Sequence, residues 1–376
     1  MISQKFDVII IGGGLAGLTC ALHLSQNNFK VLLIEKNSFP KHKVCGEYIS
    51  NEVLPYLKYL GFDPFEFGAK RISNFELTTH NNKTIKADLP LGGFGMSRFE
   101  MDFRLYDLAL RQGVSVVQDT VVDVVFENDI FHIQTKSNQN FTSKITIGAF
   151  GKRSNLDHKF QRSFITEKSP YLGVKVHMSG NFPENKVALH NFTGGYCGVS
   201  TVENDHINLC YITNYKAFKR YKDIDTFQNE VVFKNLALKK LFQNSSAEFD
   251  EPLTISQISF ATKNPIENHI IMCGDSAGMI HPLCGNGMAM AIRSAQLASV
   301  LIIDYLQDEM HTRIALERKY AKVWNKTFGF RLKVGHGIAF LFRQDWLAPK
   351  ILVVLRRVPF LMPLIIRMTH GKPMKV

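Results

Sequence analysis

The chain has 376 residues, 45% of them hydrophobic and 21% charged, with a net charge of +12. This composition excludes a disordered protein, and the length allows a large core and two domains. The six cysteines are scattered and form no CxxC pair, so we expect reduced cysteines, no metal site and a cytoplasmic protein. The first residues show no basic, apolar and cleavable pattern, so no signal peptide is predicted.

The first 35 residues predict a dinucleotide-binding turn. An apolar run at residues 6–11 leads into Gly12, Gly14 and Gly17 of a GxGxxG pattern, and a second apolar run ends at Glu35. In such a turn the glycines allow a sharp bend, a close approach to a pyrophosphate and tight packing of the helix on the strand. The helix start offers N–H groups to the phosphates, and the acid stands where a ribose hydroxyl binds. The alternative is a glycine-rich turn in another kind of α/β protein.

Strand-like runs fill the middle of the chain. Those in the first 150 residues are 72–79, 114–117, 121–126, 131–135 and 145–147. A second group, separated by Gly or Asn-Asp turns, predicts an antiparallel sheet at residues 171–178, 186–191, 196–202 and 207–213. The remaining expected elements are a helix at 224–242, a strand at 269–273 and a long helix at about 287–306. Both ends of the chain therefore contribute to the dinucleotide domain, and the antiparallel sheet is inserted between them.

A second cofactor segment, residues 270–291, reads IIMCGDSAGMIHPLCGNGMAMA. A strand followed by Gly274 and Asp275, and then by Pro282 and Gly287 before a helix, resembles the GD motif of FAD-dependent oxidoreductases of the para-hydroxybenzoate hydroxylase type. The resemblance implies that Asp275 binds the ribityl chain of FAD and that the helix starts near the N1–C2=O edge of the flavin. A helix start stabilises the negative charge of reduced flavin at that edge. Taken alone, Asp275 could be a turn or cap residue.

Three further segments resemble one branch of this superfamily. Residues 41–47, KHKVCGE, resemble the Cys-Gly loop of geranylgeranyl reductases, and residues 97–102, SRFEMD, resemble the Arg-containing segment that contacts FAD. Residues 194–199, followed by a strand at 207–211, resemble the sheet that faces the substrate cavity. The resemblance covers roughly residues 1–305.

The resemblance implies roles for particular residues. Tyr196 and Cys197 would line the substrate cavity, with ordinary sheet packing as the alternative. Cys45 would be the catalytic candidate, as a proton donor or a shaping residue near the flavin, and the alternative is a loop cysteine without a chemical role. The implied FAD-binding residues are Gly12, Gly14, Ala16, Gly17, Glu35, Lys36, Cys45, Gly46, Arg98, Gly274, Asp275, Pro282, Gly285, Gly287 and Met288.

The sequence departs from the family at two positions. Residues 148–154 align with the DG motif, and Phe150 stands where the family has an acid that helps to bind FAD and NADPH. NADPH and NADH are candidate electron donors. The aromatic residue at position 150 makes direct reduction of the flavin by either of them less favourable. Residues 198–202 replace the aromatic-Phe-Pro sequence of the reductase branch, which weakens a geranylgeranyl chain as the particular substrate.

The positive charge is concentrated at the C-terminal end. Residues 313–376 hold 14 Lys or Arg and two acids, and their apolar runs are short: 338–342, 351–355 and 360–366. None reaches the roughly 18 consecutive apolar residues of a membrane-spanning helix. A basic, apolar segment of this kind predicts peripheral contact with an anionic membrane. Core-facing helices with solvated cations are the alternative, and no nucleic acid is expected.

The sequence thus predicts an α/β protein with three regions. These are a Rossmann-like FAD-binding domain (1–70, 98–165 and 255–310), an inserted antiparallel β-sheet substrate domain (71–97 and 166–254) and a helical C-terminal segment (311–376). The expected activity is FAD-dependent reduction of carbon–carbon double bonds in a hydrophobic isoprenoid, lipid or polyketide-like substrate. The alternatives are an FAD-dependent monooxygenase, either hydroxylase or halogenase, that uses a flavin C4a-hydroperoxide, and a non-catalytic membrane-associated binding protein. The expected location is cytoplasmic, peripheral on the inner face of the membrane.

Overall fold

The computed structural model describes residues 4–79, 81–167, 169–221, 223–256, 258–308, 310, 312–342, 348–358 and 360–375. Two β-sheets organise these residues, one built on parallel strands and one mainly antiparallel. The α/β class expected from the sequence, with a Rossmann-like domain and an inserted sheet, is confirmed.

The strands and helices are numbered along the chain. The strands are β1 (Gln4–Ile11), β2 (Val31–Glu35), β3 (Tyr48–Ser50), β4 (Lys70–Thr78), β5 (Thr84–Gly95), β6 (Ser115–Gln118), β7 (Val121–Glu127), β8 (Ile130–Thr135), β9 (Asn140–Gly148), β10 (Tyr171–Ser179), β11 (Lys186–Phe192), β12 (Gly195–Thr201), β13 (Ile207–Asn214), β14 (Ser246–Ala247), β15 (Leu253–Ser256), β16 (Ile266–Glu267) and β17 (Ile270–Met272). The α-helices are α1 (Leu15–Gln26), α2 (Leu54–Tyr59), α3 (Arg98–Arg111), α4 (Asn155–Lys159), α5 (Tyr215–Phe218), α6 (Ile224–Glu230), α7 (Leu236–Gln243), α8 (Gly287–Leu306), α9 (Arg313–Phe342), α10 (Ala348–Arg357) and α11 (Leu361–Thr369).

The first sheet has the strand arrangement of a dinucleotide-binding domain. Its order is β16–β17–β9–β1–β2–β6, and the β7–β8 hairpin pairs with β9. β1 pairs in parallel with β2 and β9, while β6 and β17 extend the parallel sheet on either side. Val8, Ile9 and Ile10 of β1 are fully buried, as expected for a central parallel strand with both faces covered. The strands end at one edge, where ligands bind in sheets of this kind.

The second sheet is covered by helices on one face. Its order is β14–β10–β13–β12–β11–β4–β5–β3, with β15 also paired to β10. Val174, Val199 and Leu209 of neighbouring strands pack with Phe227 of α6 and Leu238 of α7 in one buried cluster. Because side chains alternate along a strand, the residues between these point to the opposite face, toward the Cys-Gly loop.

One predicted helix is interrupted, so the expectation of a continuous helix at residues 224–242 is wrong. These residues form α6 and α7, joined by a short 3₁₀ turn at Val232–Lys234. Asn235 starts the second helix because its side-chain oxygen accepts the N–H of Ala237, at 3.0 Å. Its side-chain amide donates to the hydroxyl of Thr78 in the sheet, at 2.8 Å. The helix cap of Asn235 and its hydrogen bond to the sheet therefore determine where α6 and α7 are separated.

The C-terminal helices are part of the fold. Tyr320, Trp324 and Phe328 of α9 are buried in the main core, and Leu355 of α10 and Met362 of α11 are buried in a cluster with residues of the second sheet. In the part of the chain that the structure describes, α8 is the one helix long and apolar enough to cross a membrane. Of its apolar window, 56% is buried, where it packs against α1 and α9.

Candidate functional site

Three glycines around the start of α1 form a turn. At Gly12 and Gly17 the turn packs tightly against backbone, and at Gly14 there is space for a ligand. A Cβ atom on Gly12, whose φ is +108°, would overlap the carbonyl oxygen of Ala149, and one on Gly17 would overlap the carbonyl oxygen of Gly12. Apart from the chain neighbours of Gly14, Arg98 is the one described residue within 4 Å of a Cβ on Gly14, at 3.6 Å. The turn therefore packs tightly on its own domain and leaves space at Gly14, as a pyrophosphate requires.

Two helices begin near this turn with their N–H groups uncapped. α1 follows Gly14, which has no side chain to cap it, and α8 follows Asn286, whose side chain makes no cap hydrogen bond within the described structure. α3 differs, because the hydroxyl of Ser97 accepts the N–H of Glu100 at 3.0 Å. No described atom outside its chain neighbours and its own helix lies within 4 Å of a Cβ placed on Gly287. Uncapped helix starts beside open space fit the phosphates and the flavin of a dinucleotide.

Glu35 lies at the end of β2 beside the glycine turn. Its Oε2 accepts the N–H of Gly13 at 2.7 Å. Its Oε1 accepts the backbone N–H and the side-chain amide of Asn37 at 3.0 and 2.7 Å. The carboxylate is thus fixed at the edge of the sheet where the sequence predicts a ribose contact. The neighbouring Lys36 is exposed to solvent.

Gly274 brings the two predicted cofactor segments together. Its φ is +62°, and a Cβ there would lie 3.2 Å from the Cβ of Ala16 in α1 and 3.5 Å from that of Ala291 in α8. Asp275 follows, half-buried, and lines the same space as Gly287. Residues separated by more than 250 positions therefore form one site.

Two buried cations, which the sequence analysis did not identify, donate hydrogen bonds to the backbone of the cofactor segment that contains Asp275. Lys263 donates from Nζ to the carbonyl oxygens of Lys152 and Asp275 at 2.9 and 2.8 Å. Arg162 donates to the carbonyl oxygen of Ser276 at 2.9 Å. Burial lowers the pKa of Lys263 to about 8. These bonds join the segment after β9 to the segment after β17.

Phe150 stands after β9, where the family has its DG-motif acid. The side chain is partly buried and packs against the core of the first sheet, and its Cε1 lies 2.9 Å from a Cβ placed on Gly148. This position therefore presents an aromatic ring in place of a carboxylate.

The segment before α8 carries two further predicted residues. Pro282 is exposed and opens the 3₁₀ turn Pro282–Cys284. Gly285 ends that turn with a φ of +61°, and a Cβ there would lie 3.3 Å from the ring of Tyr48. A left-handed backbone this close to a ring favours glycine.

The predicted Cys-Gly loop lies across the second sheet and reaches the start of α8. The Sγ of Cys45 is 3.5 Å from the Sδ of Met288, the second residue of α8. The side-chain amide of Asn208 donates to the carbonyl oxygen of Cys45 at 3.2 Å, and the hydroxyl of Ser200 donates to that of Gly46 at 3.3 Å. The loop therefore joins the cofactor side of the protein to the second sheet.

Arg98 begins α3 beside the glycine turn and is held by a buried carboxylate. Its Nε and Nη2 donate to the two oxygens of Asp102 at 2.7 and 2.8 Å, and Nζ of Lys43 lies 2.7 Å from the same carboxylate. Burial acts to raise the pKa of Asp102, but the charges of Arg98 and Lys43 outweigh it and hold that pKa below its usual value. A fixed guanidinium next to Gly14 suits a phosphate.

Glu47 forms a buried cluster that the sequence analysis missed. Its φ is +53°, and its carboxylate is fully buried between Nζ of Lys175 and Nε2 of His177, the latter 2.8 Å away. Oε1 also accepts the N–H of Arg98 at 2.8 Å. Burial acts to raise the pKa of Glu47, but the charge of Lys175 and the hydrogen bond with His177 lower it overall. The partners lie 128 and 130 residues further along the chain, so spacing alone gives no signal.

The two predicted substrate residues point to opposite faces of β12. Tyr196 is on the face of the Cys-Gly loop, and its hydroxyl is buried without a partner among the described residues. Its ring packs near Ile212 and lies 6.2 Å from that of His281. Cys197 is fully buried with Phe227 under the helices, because adjacent residues of a strand alternate. This placement does not support a contact of Cys197 with substrate.

Comparisons with known proteins agree with this site. A family model described as FAD dependent oxidoreductase matches residues 7–45, and a squalene epoxidase model matches residues 222–327. An uncharacterised protein of Methanosarcina barkeri is 26% identical over 85% of this chain and 80% of its own length. Digeranylgeranylglycerophospholipid reductase 1 of Methanosphaera stadtmanae is 24% identical over 91% of this chain and 86% of its own length. The flavin-dependent brominase Bmp2 has the same fold, with a TM-score of 0.79 and 17% identity over 97% of this chain and 93% of its own.

The fold and the two-part site define a flavoprotein whose dinucleotide domain carries an inserted sheet. The chain is an FAD-dependent oxidoreductase, and it is similar to digeranylgeranylglycerophospholipid reductases and to squalene monooxygenase. The predicted cofactor, FAD, is confirmed. When bound, FAD supplies the electron and hydride chemistry. Gly14 and Arg98 would hold its pyrophosphate, Asp275 its ribityl chain, and the start of α8 the flavin edge.

Proposed function

We propose that the protein reduces carbon–carbon double bonds of a hydrophobic isoprenoid, lipid or polyketide-like substrate by hydride transfer from reduced flavin. The face of the second sheet toward the Cys-Gly loop carries this proposal. Tyr196, Ile212 and Ile258 form its apolar end, where Val44, Ile255 and Ile258 pack over Gly173. Gly198 has no side chain of its own on this face. A surface of this kind favours an apolar ligand with few polar groups. Similarity to a digeranylgeranylglycerophospholipid reductase supports the same substrate class.

A monooxygenase reaction is the second candidate, because a squalene epoxidase model matches residues 222–327. One experiment separates the two. FAD-loaded protein is reduced without oxygen and mixed with digeranylgeranylglycerophospholipid, with or without added oxygen. A reductase oxidises its flavin without oxygen and adds two hydrogens to the lipid, whereas a monooxygenase needs oxygen and adds one oxygen atom. A lipid unchanged under both conditions would contradict both reactions on this substrate class.

We propose that Cys45 lines the flavin site and shapes it. Its sulfur contact with Met288 places it at the start of α8, and it is half-buried. Cys45→Ala is expected to retain FAD but to change the absorbance bands of the bound flavin. If Cys45 donates a proton to substrate, Cys45→Ser should retain more turnover than Cys45→Ala. Unchanged flavin spectra in both variants would contradict a position at the flavin.

We propose that NADPH and NADH reduce this flavin slowly when mixed with it directly. Phe150 places a ring where the family has an acid that helps nucleotide binding, and this ring packs on the core. Stopped-flow reduction without oxygen measures the rate with either nucleotide. Slow reduction in the wild type and faster reduction in Phe150→Asp support the proposal, and fast reduction of the wild type contradicts it.

We propose that the C-terminal helices contact an anionic membrane surface peripherally, on its inner face. Phe330, Val354, Phe360 and Leu364 are between 50% and 71% exposed. Exposed cations accompany them on the same helices, namely Lys333, Arg356, Arg357 and Arg367. Apolar side chains enter the headgroup region while cations bind anionic lipid, so this combination favours a lipid surface over bulk water.

The membrane proposal is tested on the full chain, because Leu355 and Met362 of the same helices are buried against the second sheet and truncation would disturb the fold. Phe360→Ser combined with Leu364→Ser is expected to abolish sedimentation with phosphatidylserine vesicles at low salt. The matched control is Leu236→Ser, at a residue of α7 that is 60% exposed. Wild-type sedimentation of the double variant would contradict the proposal.

A further inference from the structure

A buried lysine and a buried carboxylate meet on the face of the second sheet that the Cys-Gly loop covers. In the strand register, Lys175 of β10 lies beside Cys210 of β13, which lies beside Gly198 of β12. Glu47 reaches this row from the loop. The row borders the apolar end formed by Tyr196 and its neighbours. The fold thus places two ionisable groups beside the surface where cofactor and substrate are proposed to meet.

The contacts of Glu47 form a chain of groups that can each carry a proton. Its Oε1 accepts a hydrogen bond from Nζ of Lys175, and its Oε2 lies 2.8 Å from Nε2 of His177. The side chains of Glu47 and Lys175 are 0% exposed and that of His177 is 4% exposed. A buried ion pair often adds little stability over apolar residues of similar size. A chemical role therefore accounts for this cluster better than stability alone.

His177 connects the buried pair to the surface. Its ring stacks on that of His206, with centroids 6.1 Å apart, and Nδ1 of His206 is 2.6 Å from Oε1 of Glu248. The side chains of His206 and Glu248 are 35% and 24% exposed. His42 also contacts His177, with centroids 5.2 Å apart. Burial, together with the nearby charges of Lys175 and His177, lowers the pKa of His42 to about 4, so His42 is neutral near pH 7.

Resting on the proposed placement of the flavin between the Cys-Gly loop and α8, we infer that His177, Glu47 and Lys175 form a proton relay from solvent to this site. Lys175 gives a proton from Nζ to the acceptor. His177 donates a proton from Nε2 to Oε2 of the ionised Glu47 while its Nδ1 takes up a proton from solvent beside His206. The carboxyl group then rotates and passes its proton to Nζ of Lys175, which restores the ionised Glu47 and the charged lysine, and rotation of the imidazole ring returns His177 to its starting form. One proton moves inward and no group of the relay is oxidised or reduced. Delivery of a hydride to a double bond consumes such a proton.

The surroundings of the relay carry charges of both signs. Besides the three histidines and Glu248, the charged or titratable groups near it are Lys43, Cys45, Arg98, Asp102, Glu203 and Cys210. Arg98 and Lys43 share one carboxylate, that of Asp102. Together with Lys175 they favour an ionised Glu47 at rest, so the carboxylate is ready to receive a proton from His177.

The relay is tested with FAD-loaded protein and no substrate. The flavin is reduced by light with EDTA as the electron donor in weakly buffered solution. An indicator dye follows proton uptake, corrected for the protons that the donor releases with free FAD, while absorbance follows the flavin. We expect His177→Ala to slow proton uptake by at least about tenfold and added imidazole to restore it, with unchanged flavin content. Glu47→Gln should also be slow, but imidazole should not restore it. His132→Ala, at an exposed position of β8, is the matched control and should behave as the wild type.

Two results would overturn the relay. One is wild-type proton uptake in both His177→Ala and Glu47→Gln. The other is slow uptake in His177→Ala that imidazole does not restore, which would mean that His177 acts only through packing. His177→Gln keeps a hydrogen-bond donor for Glu47 without a titrating ring, so it provides the same test if the alanine variant unfolds, and slow uptake is expected. Because no substrate is present, failure of double-bond reduction would leave these results standing.

Discussion

Substitution of Gly14 by alanine should separate cofactor binding from folding. In the structure Gly14 has φ −85° and ψ −175°, a backbone conformation that alanine adopts without strain. The added Cβ would meet Arg98 at 3.6 Å, an ordinary contact, and apart from the chain neighbours no other described residue stands within 4 Å. The folded protein without cofactor therefore has room for the methyl group, whereas a pyrophosphate at the turn would have to move away from the backbone.

The expected magnitudes follow from this geometry. Alanine restricts the unfolded chain more than glycine, so Gly14→Ala without FAD should be about 0.4–1 kcal/mol more stable than the wild type. Displacing the pyrophosphate by the width of a methyl group removes at least one hydrogen bond to a charged group, worth about 1.5–3 kcal/mol. The Kd for FAD should then rise roughly 10- to 100-fold, since each 1.4 kcal/mol is about tenfold. Gly17→Ala should behave differently, because its Cβ would overlap the backbone of Gly12 and destabilise the fold itself.

Both quantities are measured on protein stripped of flavin. Thermal unfolding followed by circular dichroism gives the stability, and quenching of FAD fluorescence on titration gives the Kd. Gly329→Ala is the control, because this glycine lies within α9 and no described atom beyond its own helix stands within 4 Å of its added Cβ. Wild-type FAD affinity in Gly14→Ala would refute the placement of the pyrophosphate at this turn.

Three further perturbations test the packing and the buried charges. Trp324→Ala should lower the unfolding free energy by about 3–5 kcal/mol in chemical denaturation, because the side chain is 4% exposed; a loss below about 1 kcal/mol would contradict its place in the core. Lys263 has a folded pKa of about 8, below its unfolded value of about 10.4, so the unfolded chain holds the proton more tightly between these values and stability rises with pH there. From pH 8 to pH 10 the unfolding free energy of the wild type should therefore rise by about 2 kcal/mol relative to that of Lys263→Met, and a difference that does not change with pH would contradict this. Glu47 and Asp102 have lowered pKa values, so their stabilisation is present above about pH 4 and lost as the pH falls through the folded values. The unfolding free energy of the wild type should therefore exceed that of a variant with both carboxylates replaced by amides at about pH 7, and this difference should shrink as the pH falls below about 4. A difference that stays the same as the pH falls would contradict this.

The dinucleotide domain could be predicted from the sequence because its signals are local. The strand, the glycine turn, the helix and the acid lie within 35 residues, and the predicted long helix at 287–306 coincides with α8. The break between α6 and α7 could not be predicted in the same way. Asn235 starts the second helix while its amide donates to Thr78, 157 residues earlier in the chain, and helical periodicity carries no information about that partner.

The Glu47 cluster depends entirely on contacts of this distant kind, and yet one strand carries a signal for it. In β10 the sequence Val174-Lys175-Val176-His177 alternates valine with a cation or an imidazole, and β10 is an interior strand of the second sheet. Alternation places both polar side chains on one face, and a lysine on the covered face of an interior strand is costly unless a carboxylate pairs with it. The strand therefore predicts a buried acid opposite Lys175, and the Cys-Gly loop contributes Glu47, two residues after Cys45. Strand alternation, combined with the need to pair a buried charge, would thus have predicted the cluster of Lys175, His177 and a buried carboxylate.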